Sequence, residues 1–239
     1  MRRHPAMAIG LVITSAAAAQ AGGSGHVCAP ADDLRREAMV RPMTVAPGTG
    51  KLHFVQGEDG GADCPGPAPA CASRAYLVPG DQVAVTRIAG DYACAAFQGG
   101  PPHFAQTTGW LPRSGLAAPA GAAQQPADWA GAWTGGAARV VIRTAAGGRI
   151  ALAGTAHAEG AVTEFAVEVT PAGNAAGFVT DASGALVTGP AAPGTALGCA
   201  IHLWRVGGML AVADNGRCGD SRARFSGFYR PEAAGVAAK

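Results

Sequence analysis

The sequence predicts an all-β protein made of two small antiparallel units. Short apolar or alternating runs are separated almost everywhere by Gly or Pro, which is typical of strands joined by tight turns and unlike a helical bundle. Of the 239 residues, 56 are alanine and 36 are glycine, so large side chains for a core are scarce. Charged residues make up 14% and the net charge is +2, which disfavours intrinsic disorder and nucleic-acid binding.

The chain begins with a predicted signal peptide, residues 1–21. Two arginines precede an apolar run over residues 6–19, and Ala19-Gln20-Ala21 has the small-x-small pattern of a signal-peptidase site. The run is too short to span a bilayer, and no later segment is long and apolar enough to do so. We therefore expect cleavage after Ala21, a periplasmic or secreted location and no membrane span.

A linker is predicted at residues 117–127, because this segment has no periodicity, no large apolar side chain and two prolines. It divides the mature chain into residues 22–116 and 128–231, and residues 232–239 are expected to form a disordered tail.

The first unit contains five strand-like runs broken by Gly- and Pro-containing turns. Strands this short that turn so often predict a small barrel. One or two helical turns are predicted within residues 32–40, and Pro42 is expected to end them. The predicted strands are residues 51–56, 75–78, 82–88, 92–97 and 107–111.

The sequence of the second unit predicts an antiparallel up-and-down, barrel-like sheet of about seven strands. Gly147-Gly148 and Gly207-Gly208 lie between strand-like runs, as hairpin turns do. The clearest predicted strands are residues 138–144, 149–157, 162–170, 177–181, 200–206 and 209–214. The side chains expected to point inward are Val141, Ile150, Leu152, Phe165, Val167, Phe178, Ile201, Leu203, Leu210, Val212 and Phe225.

Six cysteines in an exported chain predict three disulfides. The turn at Gly207-Gly208 sets Cys199 opposite position 216, so a bulge within residues 214–216 is needed to bring Cys218 into reach. Zinc is the competing interpretation, but Cys-x-x-Cys is absent and the histidines share no ligand spacing.

The other two disulfides are predicted within the first unit. The proline-rich segment between Cys64 and Cys71 is stiff and is expected to close on itself. Cys28 then remains to pair with Cys94.

Residues 74–116 resemble the bacterial SH3-like (SH3b) domains. The resemblance is carried by Pro79-Gly80-Asp81 before Val83-Ala84-Val85, by Gly90-Asp91-Tyr92, and by Gly109-Trp110-Leu111-Pro112. Members of this family are small β-barrels of exported bacterial proteins, and many bind peptidoglycan or its peptide stems. The resemblance therefore implies an envelope protein with peptidoglycan or another envelope protein as its partner.

The second unit resembles two arrangements. Gly131-x-Trp133, with an arginine on the last strand, resembles the lipocalin-like pattern in which a tryptophan closes one barrel end beneath an arginine. The segment as a whole is more similar to the small β-domains that accompany SH3-like domains in exported envelope proteins. That resemblance implies an architecture and no particular activity.

Trp110, Tyr76 and Tyr92 are the candidate ligand-binding residues. If their rings share one surface, they form a shallow aromatic groove for a peptide or a sugar face. The alternative interpretation is that Trp110 fills the barrel core, since the first unit has few other large side chains.

No catalytic constellation or cofactor motif is recognisable, so an enzyme is not expected. Glu164 and Glu168 share one strand face and are interpreted as a solvated row. Asp214-Asn215-Gly216 is interpreted as a turn, and His202 beside Trp204 as a half-buried structural residue.

Three functions remain as hypotheses. The first is a non-catalytic periplasmic binding module that recognises peptidoglycan or a peptide through its SH3-like domain. The second is an inhibitor of a secreted lysozyme or protease, with residues 214–220 as its inserting loop. The third is a small-ligand carrier that uses the C-terminal barrel, whose alanine-rich interior either packs closely or leaves a cavity.

Overall fold

A computed structural model describes residues 27–100, 105–119, 124–187 and 197–232 of the chain. The predicted leader and its cleavage site lie outside these residues. The described chain is all-β, with two antiparallel sheets and no long helix. No helix within it is long and apolar enough to cross a membrane.

Residues 30–117 form a short helix and the first sheet. The helix α1 spans Pro30–Arg35. The strands are β1 (Arg41–Val45), β2 (Leu52–Val55), β3 (Ala72–Leu77), β4 (Gln82–Ala89), β5 (Tyr92–Gln98), β6 (Gln106–Pro112) and β7 (Leu116–Ala117).

Residues 126–231 form a helical turn and the second sheet. The helix α2 spans Pro126–Trp129. The strands are β8 (Gly131–Gly135), β9 (Ala138–Thr144), β10 (Ile150–Ala158), β11 (Ala161–Val169), β12 (Ala175–Asp181), β13 (Leu197–Val206), β14 (Met209–Asp214) and β15 (Gly227–Pro231).

The first unit differs from the sequence prediction at strand β1 and at the end of helix α1. Strand β1 includes Pro42, which we expected only to end a helix, and pairs with β4 from Arg41 to Thr44. Helix α1 ends at Arg35, earlier than the predicted limit at residue 40, and Glu37 takes a positive φ of 60° beyond it.

The first sheet curves into a half-barrel with the strand order β3-β2-β6-β5-β4-β1-β7. One face packs a small core of mostly aliphatic side chains around Phe54. Gly109 lies close to this ring: a Cβ at that position would be 3.1 Å from Phe54 Cδ1, so a larger residue would require the ring to shift. The core is formed by Val45, Leu52, Phe54, Leu77, Val83, Val85, Ala93, Ala95 and Leu111.

The second sheet forms a nearly closed barrel with the order β11-β10-β9-β8-β15-β14-β13-β12. All the predicted inward residues belong to its core or pack against it, except Val141. Val141 lies on the outer face, because Val140 and Ile142 are the residues of β9 that turn inward. In a strand, an error of one position exchanges the two faces.

Two polar arrangements hold the barrel at its ends. The guanidinium of Arg205 lies 5.2 Å from the centre of the buried Trp133 ring. This tryptophan therefore packs against an arginine, but the arginine belongs to β13 and not to the last strand. At the other end, the buried Asp214 carboxylate accepts hydrogen bonds from the backbone N–H groups of Phe225 (2.6 Å) and Ser226 (2.7 Å).

A third apolar cluster joins the two sheets. The outer face of the β13–β14 hairpin presents Trp204, Val206 and Met209 to Leu34 of α1 and to Ala84 of β4. Every residue of β14 is buried, since its inner face lies in the barrel core and its outer face lies against the half-barrel. The side-chain amide oxygen of Gln82 accepts a hydrogen bond from Gly207 N–H at the tip of the hairpin (3.0 Å).

The structure describes part of the predicted linker and the first residue of the predicted tail, and both contain ordered contacts. Ala117 lies in β7, and Pro126–Trp129 forms α2. Glu232, the first residue of the predicted tail, forms a bidentate ion pair with Arg139 (2.7 and 2.9 Å). Residues 120–123 and 233–239 lie outside the described chain.

Replacement of Trp204 with alanine is expected to lower the free energy of unfolding by about 3–5 kcal/mol, because it removes a buried ring from the cluster shared by both sheets. Urea unfolding measures the loss, and hydrogen exchange should show weakened protection in both sheets. Val162→Ala, at a residue that is 58% exposed on β11, is the control and should change stability by less than about 0.5 kcal/mol. Wild-type protection of the half-barrel in Trp204→Ala would contradict a shared core.

Candidate functional site

The six cysteines form the disulfides Cys28–Cys94, Cys64–Cys71 and Cys199–Cys218. These are the same three pairs that the sequence analysis favours. Such pairs are compatible with an exported protein.

The third disulfide forms where the chain leaves β14. Ile201 pairs with Asp214, and Gly216 then takes a positive φ of 70°. This bend brings the Cα atoms of Cys199 and Cys218 within 4.3 Å of each other.

Trp110 is fully buried in the half-barrel. Its ring packs with Val55 and the sulfurs of Cys64, Cys71 and Cys94 on the side of the sheet opposite Phe54. The Arg87 guanidinium lies 5.2 Å from the ring centre. Trp110 therefore offers no free ring face to a ligand and fills a core, as the alternative interpretation of this residue proposed.

The two tyrosines do not share one surface with Trp110. Tyr92 is half-buried and packs against the Trp110 cluster. Tyr76 is 45% exposed on the edge strand β3, where its ring lies 5.5 Å from the His53 ring and 4.2 Å from Lys51 Nζ. An exposed aromatic groove made of all three rings is not formed.

A polar groove of about 380 Å³ lies beside Trp110 instead. It opens next to the point where β2 and β6 pair through a single pair of residues, Val55 and Trp110. We use the term polar groove for this depression because its lining includes five polar side chains. They are Gln56, Asp59, Ser73, Thr107 and Thr108, and they lie beside Val27, Cys28 and the buried Phe54 and Trp110.

Most polar side chains of this groove are unpaired. Those of Gln56, Asp59, Thr107 and Thr108 make no hydrogen bond to the described part of the chain. Together they offer a carboxylate acceptor, an amide and two hydroxyls. This set can exchange hydrogen bonds with hydroxyl and amide groups of a ligand, and it contains no nucleophile activated by a neighbouring base.

The floor of the groove is held in place covalently. Cys28 lines it and is bonded to Cys94 on β5, whose partner in the sheet is Trp110. Arg87 adds a hydrogen bond to the carbonyl oxygen of Val27 and an ion pair with Asp33 at 3.7 Å. A groove fixed in this way loses little conformational entropy when it binds a ligand.

The predicted inhibitory loop, residues 214–220, is rigid. Besides its disulfide, Asn215 accepts hydrogen bonds from the backbone N–H groups of Ala200 and Arg217 and donates to Gly198. Asp220 N–H donates to the Thr163 hydroxyl across the barrel seam. The Arg222 guanidinium lowers the pKa of Asp220 to about 2.

The barrel interior is packed mainly with large side chains. A depression of about 450 Å³ opens at the seam between the edge strands β11 and β12, beside the Cys199–Cys218 disulfide. Phe165 crosses this seam and lies 5.3 Å from Phe178 and 4.9 Å from Phe225, ring centre to ring centre. Contacts between aromatic rings therefore close the seam, where the edge strands β11 and β12 are not paired with each other.

The other candidates from the sequence occupy structural positions. Glu164 and Glu168 are exposed on β11, and Glu168 pairs with Arg149 at 3.1 Å. His202 is half-buried and stacks on Trp204 at 5.9 Å. Within the described ranges, no cluster of three His, Cys, Asp or Glu side chains could bind a metal ion.

Sequence reasoning did not identify the polar groove. Thr107 and Thr108 were visible only as part of a strand, and Gln56 and Asp59 lie in a loop more than forty residues earlier. The one usable signal was position along the chain. Thr107 and Thr108 precede Trp110 closely and Gln56 and Asp59 precede Cys64, and Trp110 and Cys64 belong to one buried cluster.

Comparison with known proteins yields no relative. No protein-family model, curated protein or solved structure matches the chain.

Removal of the Cys28–Cys94 disulfide by double replacement with alanine is expected to cost about 4 kcal/mol of unfolding free energy, from the entropy of closing its 66-residue separation. Removal of Cys64–Cys71, with a separation of 7, should cost about 2 kcal/mol. Urea denaturation of the two double variants tests this order. The opposite order would show that strain or packing, and not chain closure, sets the stabilisation.

Stability should also fall as the solution becomes mildly acidic. Burial lowers the pKa of His202 below its ordinary value of 6.5, with the Glu37 carboxylate as a smaller opposing effect. The unfolded chain therefore binds this proton more readily, and the stability is present above pH 6.5 and lost as the pH falls below it. Urea midpoints between neutral and mildly acidic pH should fall for the wild type and fall less for His202→Gln. Equal slopes would exclude His202 as the group responsible.

Proposed function

We propose that this protein is an exported, non-catalytic binding module of the cell envelope that recognises peptidoglycan through the polar groove. The leader, with cleavage after Ala21, delivers it to the periplasm or the exterior, where its disulfides form. The half-barrel is the SH3-like unit, and the nearly closed barrel supports it.

Two features of the sequence support this assignment. The leader has a basic start, a short apolar run and a cleavage triplet. Residues 74–116 carry the SH3-like motifs, and the SH3-like family contains many peptidoglycan-binding members. In the half-barrel, β2 and β6 are paired through Val55 and Trp110, and the groove opens beside this pair.

The observation that carries the proposal is the unpaired state of Gln56, Asp59, Thr107 and Thr108 around a covalently fixed floor. Peptidoglycan presents hydroxyls, N-acetyl amides and peptide amides, all of which exchange hydrogen bonds with such side chains. Because these ligand groups carry no charge, their hydrogen bonds to the groove, including those to the Asp59 carboxylate, should depend weakly on salt.

Sedimentation with purified peptidoglycan tests the proposal. Thr108→Val and Gln56→Ala each remove exposed hydrogen-bonding groups and should weaken retention about two- to tenfold, since one net hydrogen bond contributes about 0.5–1.5 kcal/mol. Trp110→Ala is a poor test, because loss of a buried ring destabilises the fold itself.

The matched control is Thr170→Val, which removes an exposed hydroxyl from the barrel unit. Its retention should equal that of the wild type. Equal retention of all three variants would exclude the polar groove, and no retention of the wild type would exclude peptidoglycan as the ligand.

Inhibition of a secreted hydrolase is the second candidate function, and the rigidity of residues 214–220 favours it. The loop is held by a disulfide, by the Asn215 side chain and by the Asp220–Thr163 hydrogen bond, so it would insert into an enzyme cleft with little loss of entropy. A panel of lysozymes and proteases tests this function. Full activity of every enzyme in the presence of excess protein would count against it.

A further inference from the structure

A second depression, of about 370 Å³, opens at the other side of the half-barrel. We call it the basic mouth, and it lies where β1, β4 and β5 approach the turn between β6 and β7. Its floor is apolar and includes Met43, Val85 and Leu116, and its rim carries Arg41, Arg113 and Ser114.

The charges of the basic mouth are of one sign. No aspartate or glutamate lines it. Arg41 is exposed and makes no ion pair or side-chain hydrogen bond within the described chain. Arg113 uses one nitrogen, Nη1, to donate to the carbonyl oxygen of Gly90 at 3.1 Å, and it forms no ion pair with a carboxylate of the described residues.

An adjoining depression of about 350 Å³ extends this surface past Arg41. It shares Arg41, Val85 and Ile88 with the basic mouth and adds Met39 and Arg87, again without an acidic residue. Met39 and Ile88 are 63% and 38% exposed, so apolar area remains open to solvent on both sides of Arg41. The two depressions together form an elongated groove that contains both apolar and basic side chains, with the Arg41 guanidinium at their common boundary.

We propose that the basic mouth binds the C-terminal carboxylate of a short peptide whose last residues are apolar. The planar guanidinium forms two parallel hydrogen bonds with a carboxylate, and a charge-assisted bond of this kind is about twice as strong as a neutral one. Arg41 receives the carboxylate, Arg113 adds a second positive charge, and the floor of Met43, Val85 and Leu116 buries the terminal side chain.

Side chains, and not strand addition, provide the recognition. Strand β1 pairs with β7 only at Thr44 and Val45, which leaves the edge near Arg41 uncovered by β7. Pro42 in this stretch has no N–H to donate to an added strand. A peptide is therefore held by its terminal charge and its apolar side chains.

This site is independent of the polar groove. The basic mouth is apolar and cationic, and it shares no lining residue with the polar groove. Failure of peptidoglycan binding would leave the inference intact, because the two tests use different ligands and different variants.

Titration calorimetry with an N-acetylated tripeptide ending in Leu-Ala and a free carboxylate tests the inference. The full mature protein should bind it, and the same peptide with a C-terminal amide should bind about tenfold more weakly or not at all. Arg41→Gln should weaken the free-carboxylate peptide about tenfold and leave the amide unchanged. Ile88→Ser should weaken both peptides.

Two matched controls lie on the barrel. Arg143→Gln removes an exposed arginine that has no partner in the described chain, and Val162→Ser removes an exposed apolar side chain. Both should bind as the wild type does. Equal affinity for the acid and the amide, equal loss in Arg41→Gln and Arg143→Gln, or binding of inorganic phosphate as tight as that of the peptide would each overturn the inference.

Discussion

The rest of the structure depends on burial of both faces of the β13–β14 hairpin. Its inner face completes the barrel core, and its outer face, with Trp204 and Met209, supplies large side chains to a half-barrel that has few of its own. Because alanine and glycine are so abundant in this chain, few large side chains are available for the core of each sheet. Sharing one hairpin between them, and adding three disulfides, solves that problem.

The different packing of the two sheets underlies the proposed location of ligand binding. The barrel is packed internally, closed near one end by Trp133 beneath Arg205 and tied near the other by the Asp214 carboxylate. The half-barrel is supported from outside, and the polar groove and the basic mouth open on it. Binding at the half-barrel then needs little rearrangement, because the disulfides and the shared cluster hold its strands in place.

Much of the fold could be predicted from the sequence because it follows from local rules. The turns at Gly147-Gly148 and Gly207-Gly208 and the period-two strands depend on residues close in the chain. The bulge predicted within residues 214–216 is not formed, because β14 ends at Asp214 and a bend at Gly216 brings Cys218 to Cys199 instead. Strand β1 was missed because Pro42 is unfavourable in a strand by local preference, and its pairing with β4 outweighs that preference. The candidate sites were missed because Arg41 and Arg113, or Gln56 and Thr108, meet only through sheet topology. The inward positions Leu210 and Val212 of β14 were predicted, but its apolar pattern did not show that the opposite face is also buried or what covers it.

The central claim is that the half-barrel binds the ligand and the barrel supports it. Amide chemical-shift mapping of the isotope-labelled mature protein during titration with soluble peptidoglycan fragments tests this most directly. The account predicts perturbations on β2 and β6 and in the turn around Gln56, with the barrel strands β9 to β11 unchanged. Perturbations confined to the barrel seam around Phe165, with an unchanged half-barrel, would contradict it.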